Sequence, residues 1–404
     1  MIERNDSNKE DAHYRLLDNC RFVAGAKRGA IYDLNTGNVY SLDEAAKKVV
    51  KGDSGNDNFW IQLMDMGLAT KGIASTIESQ AETELPRVGL EFMWLELTER
   101  CNEKCLHCYA SAGNSPKKEE LSLTRWEQVL QEGASLGCRQ VQFIGGEPLL
   151  VKGVFGLAKT AKDLGYNFVE IFTNGVLLTE DKIKKIKDLE MRVAVSLYSI
   201  IPEVHDLITK TPGSFRKTFT ALEMLRKAQI PTRIGIIAMR QNESTLLETQ
   251  RKLQEMGFDS TKIDVLRPTG RGGCGDLIPS QEVVNALALM TEPDFYTSRE
   301  QFYRNQYWNS CWAGKIAITA NGDVLPCIFA RKHIVANVDQ GLENAVNSPL
   351  LQTLWRTTKD QVETCRECEY RYACHDCRPL SEDSSSNFLG KNPRCMYDPL
   401  RGEW

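Results

Sequence analysis

Between residues 91 and 266 short apolar runs alternate with amphipathic stretches six times over, an order that few folds accept. The runs are "EFMWLEL" (91–97), "VQFI" (141–144), "FVEIFT" (168–173), "RVAVSLY" (192–198), "TRIGIIAM" (232–239) and "KIDVL" (262–266). Helical patterns lie between them. One begins at Thr124, where Thr124 and Glu127 read as a capping box ahead of a face of Trp126, Val129, Leu130 and Gly133. Others fall near 154–164, 179–189, 214–228 and 243–256. Six βα units in series predict an α/β fold with a parallel sheet and right-handed crossovers, either doubly wound or curved toward a barrel. In both cases ligands bind at the C-terminal ends of the strands.

The loops expected on that rim carry chemistry. The first strand runs into "LTERCNEKCLHCYASAG", with Cys101, Cys105 and Cys108 spaced x3 and then x2. A structural zinc wants four ligands and a fully ligated iron–sulfur cube wants four thiolates, so three cysteines leave one metal corner open. The second strand runs into Gly145, Gly146, Glu147 and Pro148; the third into Thr173, Asn174 and Gly175; the fourth into "SLYS", from Ser196 to Ser199. A single Gly or Asn after a strand is ordinary turn chemistry. Four such loops in this order on one rim require more than turn formation. The chain has thirteen cysteines, an odd count clustered at 101–108 and 311–395, which favours metal ligation over a disulfide framework.

C-x3-C-x2-C after the first strand, with GGEP after the second, closely resembles the radical SAM enzymes over roughly residues 88–272. That resemblance implies a partial (β/α)6 barrel in which Cys101, Cys105 and Cys108 hold a [4Fe–4S] cluster and S-adenosylmethionine takes the fourth iron. It implies that the cluster gives one electron, the sulfonium bond breaks, and a 5′-deoxyadenosyl radical takes a hydrogen atom from substrate. By motif, Gly145, Gly146 and Glu147 meet the methionine amino group, Pro148 stiffens the turn, and Ser196 lies near the ribose or carboxylate. Thr173 and Asn174 join the cosubstrate site on the same ground. The fifth strand gives apolar contact to adenine or plain barrel core, Arg267 is a candidate for the carboxylate, and His107 packs on adenine.

From Cys311 the pattern reads C-x10-G-x4-C, through Gly322 to Cys327, then Cys365, Cys368, Cys374, Cys377 and Cys395. A hairpin, "KIAITANGDVLPC", lies inside it, with Asn321-Gly322 read as a type I′ turn. Two C-x2-C pairs alone would suit a zinc ribbon. Seven cysteines in this order after such a barrel resemble the SPASM extension, which implies two auxiliary [4Fe–4S] clusters and three in all. The pattern assigns Cys365, Cys368, Cys374 and Cys395 to the outer cluster, and Cys311, Cys327 and Cys377 to the inner one. The inner set lacks a fourth cysteine: either Cys274 reaches across or one iron is open.

In the first eighty-five residues, 28–50 read as a β-hairpin with a turn at Asn35–Asn38 running into a helix, and 58–70 as a second helical segment. This resembles the PqqD-like, winged-helix leader-recognition domain of peptide-modifying systems, which implies that a leader adds as a strand to the hairpin edge. Acidic residues match or exceed basic ones there, which disfavours DNA binding. Residues 74–86 read as a linker, so the expected domains are 1–85, 86–275 and 276–404. Net charge is −4 and no apolar run approaches the roughly 20 residues that cross a bilayer, so neither nucleic acid nor membrane is an expected partner. A polar start without a signal peptide points to the cytoplasm.

The whole resembles an enzyme that abstracts hydrogen from a ribosomally made precursor peptide, bound through its leader, and forms a thioether or carbon–carbon cross-link. It implies an external one-electron donor of flavodoxin or ferredoxin type. The alternatives are a maturase of a protein side chain, as in sulfatase activation, and a non-catalytic iron–sulfur regulator that binds DNA. Sequence identifies no catalytic base.

Overall fold

The computed structural model describes residues 13–72, 88–116, 118–287 and 296–404, without the side chains of 383–385. The expected linker at 74–86 and the boundary at 85/86 lie outside the described residues. In the N-terminal module β1 (His13–Leu16) is followed by β2 (Cys20–Ala24), β3 (Gly29–Asp33), β4 (Val39–Leu42), α1 (Glu44–Lys51), α2 (Asp57–Asp65) and β5 (Ala69–Gly72). β2, β3 and β4 form an antiparallel sheet with β3 central, and β1 pairs with β5. The expected hairpin is therefore β3–β4. Its turn closes with Gly37 at φ 85°, which an L side chain rarely adopts. Asp43 caps α1 by accepting the Ala46 N–H, and Asn56 caps α2 by accepting that of Phe59.

The central sheet follows. β6 (Phe92–Glu96), α3 (Leu123–Ser135), β7 (Gln140–Ile144), α4 (Val154–Asp163), β8 (Phe168–Thr173), α5 (Glu180–Asp188) and β9 (Arg192–Ser196) open it. Then come α6 (Pro202–Thr209), α7 (Ser214–Lys227), β10 (Thr232–Ala238), α8 (Leu246–Glu255) and β11 (Thr261–Val265). The six strands pair in parallel and in chain order, as in a partial barrel. Trp126, Val129, Leu130 and Gly133 are buried on α3 as the periodicity requires. The cap is two residues earlier than expected: Ser122, not Thr124, accepts the Arg125 N–H, so no box with Glu127 forms. Helix α6 between β9 and α7 is an addition to the expected pattern.

Beyond α9 (Gln281–Ala286) and α10 (Arg299–Tyr307), β12 (Lys315–Ile318) pairs in parallel with β6. It continues the sheet outward through the antiparallel β13 (Asp323–Leu325) and β14 (Ala336–Asn337). The cysteine-bearing hairpin is thus built onto the barrel edge. Its turn is not type I′: Gly322 has φ 88° but Asn321 is not among the residues with positive φ. The Gly322 N–H donates to the Thr319 carbonyl and the Thr319 N–H to that of Asp323, the three-residue arrangement with glycine in the left-handed position. Helices α11 (Leu342–Val346), α12 (Pro349–Trp355) and α13 (Arg378–Ser385) complete the chain.

Two cores matter for function. One fills the barrel and runs into the C-terminal region through Trp312, Ile316, Leu351 and Trp355. The second joins the N-terminal sheet to the C-terminal cysteine region: Val23, Ala30 and Tyr32 pack with Phe302, Tyr370, Ala373 and Tyr397. The Tyr32 hydroxyl donates to the Glu369 carbonyl at 2.8 Å, and Arg371 Nη1 donates to that of Ala24 at 3.0 Å. No helix among the described residues is long and apolar enough to cross a membrane.

Candidate cosubstrate and cluster site

The loop after β6 folds back on itself before it can present sulfur. The Cys101 N–H donates to the Gly113 carbonyl at 2.7 Å, and Arg100 bridges Gly113. Backbone donors then point at two of the thiols: Glu103 N–H to Cys101 Sγ at 3.5 Å and Ala112 N–H to Cys108 Sγ at 3.4 Å. Such donors favour the thiolate that a metal needs. Burial opposes it, pushing the Cys101 thiol up to about 12 and that of Cys105 well above its ordinary value. Without metal these thiols are protonated, and ligation must expel the protons.

The GGEP turn after β7 docks onto this loop backbone to backbone. Gly146 N–H donates to the Thr98 carbonyl at 2.7 Å and Glu147 N–H to that of Arg100 at 2.8 Å. A Cβ on Gly145 would sit 2.5 Å from Thr98 O, and one on Gly146 2.1 Å from Arg100 O. Only glycine fits at either position. Glu147 is fully buried and its carboxylate is taken: it accepts from Leu149 N–H (3.0 Å), the Thr173 hydroxyl (2.8 Å) and Asn174 N–H (2.9 Å). It ties the turn after β7 to the turn after β8. Pro148 is buried as the first residue of a short 3-10 turn and stays off the cavity wall.

The cavity itself is lined by Cys101, Cys105, Cys108, Gly145, Gly146, Thr173, Asn174, Ser196 and Arg267, all expected from sequence. Phe172, Tyr198, Gly235, Ile237, Val265 and Phe329 supply its apolar surface. Ile237 and Gly235 belong to the fifth barrel strand, so that strand does face the cavity. His107 stands edge-on to Tyr198 with ring centroids 4.6 Å apart. Burial holds its imidazole near 4, hence neutral at pH 7. Arg267 is already engaged: Nη1 donates to Asp264 Oδ2 at 2.5 Å, its guanidinium lies 4.4 Å from the Phe329 ring centroid, and it also hydrogen-bonds Cys377. It lines the cavity on the side of the C-terminal cysteines.

Arg271 is the contributor that sequence reasoning missed. From the loop after β11 its Nε donates to the Cys105 carbonyl at 2.9 Å and its Nη1 to that of Ala112 at 2.7 Å, clasping the cysteine loop. The glycines around it were the available signal: a Cβ on Gly270 would meet Tyr109 O at 2.3 Å.

The residues fit a cluster and an adenosyl ligand. Among the described residues no three His, Cys, Asp or Glu side chains converge as ligands of a single ion would. A cube instead holds each thiolate on a different iron. Glu103 Oε1, His107 Nδ1 and Arg267 Nε are buried at the cavity without hydrogen-bond partners, polar points in a mostly apolar wall.

The seven C-terminal cysteines fall into two groups. Cys311, pushed up to about 12 by burial, is next raised by Cys377 and Cys327; Cys327, pushed up to about 11 by burial, also feels Cys377. Cys374, at about 11 through burial, feels Cys395 and Cys365, and Cys368 feels Cys374 and Cys365. Cys274 stands exposed between two short 3-10 turns, whereas Cys327 is buried in the inner set. The isolated Cys20 and Cys138 are buried in apolar cores.

Residues 95–253 match the Radical SAM superfamily, and residues 311–369 match SPASM, the iron–sulfur cluster-binding domain. This chain is a radical SAM enzyme with a SPASM domain. S-adenosylmethionine and iron–sulfur clusters follow from those two domains. The radical SAM/SPASM chain is 26% identical over 351 residues to an AdoMet-dependent heme synthase of Methanosarcina barkeri, covering 79% of this chain and 99% of that protein. It is 25% identical over 324 residues to a PqqA peptide cyclase of Gluconobacter oxydans, covering 75% and 90%. In fold it resembles Streptococcus suis SuiB bound to its precursor peptide SuiA, at TM-score 0.60 and 14% identity, over 95% of this chain and 100% of that one. It also resembles anSMEcpe with bound AdoMet, at TM-score 0.59 and 16% identity, over 75% and 93%.

Proposed function

We propose that this radical SAM/SPASM enzyme modifies a ribosomally made precursor peptide, installing a thioether or carbon–carbon cross-link. The observation that carries this reading is the N-terminal module. SuiB's fold matches across 95% of the chain, and the heme synthase, PqqA peptide cyclase and anSMEcpe matches cover 79%, 75% and 75%. A module of this kind, PqqD-like in pattern, is the reader of a leader peptide in our account. β2 and β4 are the edge strands of its three-stranded sheet, the places where a leader could add. The domains divide at 1–85, 86–275 and 276–404 on this reading.

Cys101, Cys105 and Cys108 would hold the cluster that binds S-adenosylmethionine. Cys365, Cys368, Cys374 and Cys395 would hold an outer cluster, and Cys311, Cys327 and Cys377 an inner one, three in total. With one electron from a flavodoxin- or ferredoxin-type donor, the first cluster and S-adenosylmethionine would supply the radical chemistry that removes a hydrogen atom from the substrate. The protein's own work is positional. Gly145 and Gly146 let the backbone close on the cysteine loop, Glu147 locks the turns after β7 and β8 together, and Arg271 holds the loop's carbonyls. Phe172, Tyr198, Ile237 and Phe329 keep the cavity apolar, which limits quenching by water.

A second reading is heme formation, favoured by the sequence relatives named heme synthase. One experiment separates the two. The reconstituted full chain, with reductant and S-adenosylmethionine, is given either a short peptide encoded beside its own gene or an iron porphyrin carboxylate. Loss of two hydrogens from the peptide supports the first reading. An unchanged peptide together with a converted porphyrin overturns it.

A further inference from the structure

The outer side of the first cysteine loop carries positive charge that no carboxylate meets. Lys104 stands between Cys101 and Cys105 and is exposed, whereas those two cysteines line the cavity. Its N–H donates to the Thr209 carbonyl at 3.1 Å, and the Leu106 N–H to that of Ile208 at 2.9 Å. The loop therefore lies along the C-terminal end of α6, where exposed Lys210 follows. The Thr209 hydroxyl is 2.7 Å from that of Ser214, the first residue of α7. Arg216 and Lys217 are exposed at the start of that helix. Four cations from three segments thus meet beside the loop, on a chain of net charge −4. None of them is paired with a carboxylate among the described residues. Asp206, the acidic side chain nearest in sequence, accepts from Ser214 Oγ at 3.0 Å and from the Phe215 N–H at 2.8 Å. Glu203 lies at the far end of α6.

Stability does not explain these charges. The N-terminus of a helix favours carboxylates and disfavours cations, yet the first turn of α7 has no acidic residue and no side-chain cap. Leu207, 58% exposed, adds an apolar spot on α6 three residues before Lys210. Position indicates what such a patch receives. None of the four cations lines the cavity, so the patch does not hold the group that reacts. Lys104 and Cys105 are joined by one peptide unit, which sets their Cα atoms about 3.8 Å apart. Cys105 and Leu106 pack against Ile208 of α6 beneath the same surface. A protein docked here reaches the neighbourhood of the first cysteines without entering the cavity. That suits a carrier that delivers only an electron, whereas a substrate must enter. A cationic rim around an apolar spot matches a small acidic protein in a brief encounter.

We propose that Lys104, Lys210, Arg216 and Lys217, around Leu207, form the docking surface for a small acidic protein that carries one electron to the first cluster. This rests on the reading that Cys101, Cys105 and Cys108 hold that cluster and that an external carrier reduces it. One electron leaves the carrier and enters the cluster, with no bond made or broken. The charges act on the encounter, so their effect is on the rate of association and weakens with salt.

The test is Arg216→Glu with Lys217→Glu in the reconstituted full chain. The probes are a limiting amount of reduced flavodoxin or, separately, reduced ferredoxin, and the readout is 5′-deoxyadenosine release from S-adenosylmethionine. Glutamates at the start of α7 favour the helix, so folding is preserved. Carrier-driven release should fall about tenfold or more in the variant, and about tenfold in the wild type as salt rises from about 0.05 to about 0.5 M. Arg216→Lys with Lys217→Arg should stay within about threefold of the wild type, because charge rather than shape steers the encounter. Under dithionite, which needs no docking, the wild type and the glutamate variant should agree within about threefold. Equal carrier-driven rates in the two proteins overturn the proposal, and so does a loss of equal size under dithionite. A wild type that dithionite drives and neither carrier drives also overturns it. A variant that keeps carrier-driven release but loses peptide modification assigns the patch to substrate and overturns it too. No release by the wild type under any reductant would instead sink the first-cluster reading itself.

Discussion

Replacing Gly146 with alanine tests how the cosubstrate site is built. The new Cβ would stand 2.1 Å from Arg100 O, 2.6 Å from Arg100 C and 3.1 Å from Cys101 N. All three are backbone atoms, so no side chain can rotate away. Real Cβ atoms keep at least 3.0 Å, and the GGEP turn must retreat by about 0.9 Å. The bonds from Gly146 N to Thr98 O and from Glu147 N to Arg100 O, now 2.7 and 2.8 Å, would then pass the limit of useful hydrogen bonding. Losing both costs about 2 kcal/mol and the overpacking about 1–3 kcal/mol more. Denaturant unfolding should report a loss of about 3–5 kcal/mol, and calorimetric binding of S-adenosylmethionine should weaken at least tenfold. Gly156→Ala is the control, because its Cβ meets nothing within 4 Å in the first turn of α4; it should stabilise by up to about 0.5–1 kcal/mol. Wild-type stability and binding in Gly146→Ala would refute the close backbone approach.

Three further expectations follow from the same geometry. Arg271→Met removes both bonds to the cysteine loop, so chelator should strip iron from the first cluster several-fold faster, with Arg271→Lys in between; an unchanged rate would deny the clasp. Glu147→Ala leaves the Thr173 hydroxyl and the Leu149 and Asn174 N–H groups unpaired in the interior, at a cost of about 3–5 kcal/mol in denaturant unfolding. His205, stacked on Tyr198 and accepting its N–H, is held by burial near 4, well below its ordinary 6.5. Its contribution is complete above pH 6.5 and is lost as pH falls toward 4, because only the unfolded imidazole takes a proton in between. The stability gap between wild type and His205→Gln should narrow by about 2 kcal/mol from pH 7 to pH 5, and a constant gap would contradict the assignment.

The six barrel strands were legible because buried parallel strands are continuous apolar runs, and the cysteines and GGEP because few residues satisfy those spacings. Other features were hidden for physical reasons. β1 is four residues long with alternating exposed and half-buried positions, too weak a pattern to stand out. Helix α6 begins with Pro202 and carries no side-chain cap, so its start has little signature. Both Ser122 and Thr124 could cap α3, and only backbone geometry chooses Ser122. The docking of the N-terminal sheet on the outer cysteine region rests on contacts such as Tyr32 with Glu369, 337 residues apart, which local pattern cannot encode. That docking also decides how leader recognition is best tested. Deleting residues 1–85 would uncover Phe302, Tyr370 and Tyr397 beside the outer cysteines, so leader recognition is better probed by point changes on the edge strands.

The central claim is that Cys101, Cys105 and Cys108 hold the cluster at which S-adenosylmethionine is cleaved. The most direct measurement is 5′-deoxyadenosine release under dithionite by the reconstituted wild type and by the variant with all three cysteines changed to alanine, with iron counted in both. The account predicts release by the wild type, none by the variant, and about four fewer irons in the variant. Equal release by the two proteins, or equal iron, would contradict it.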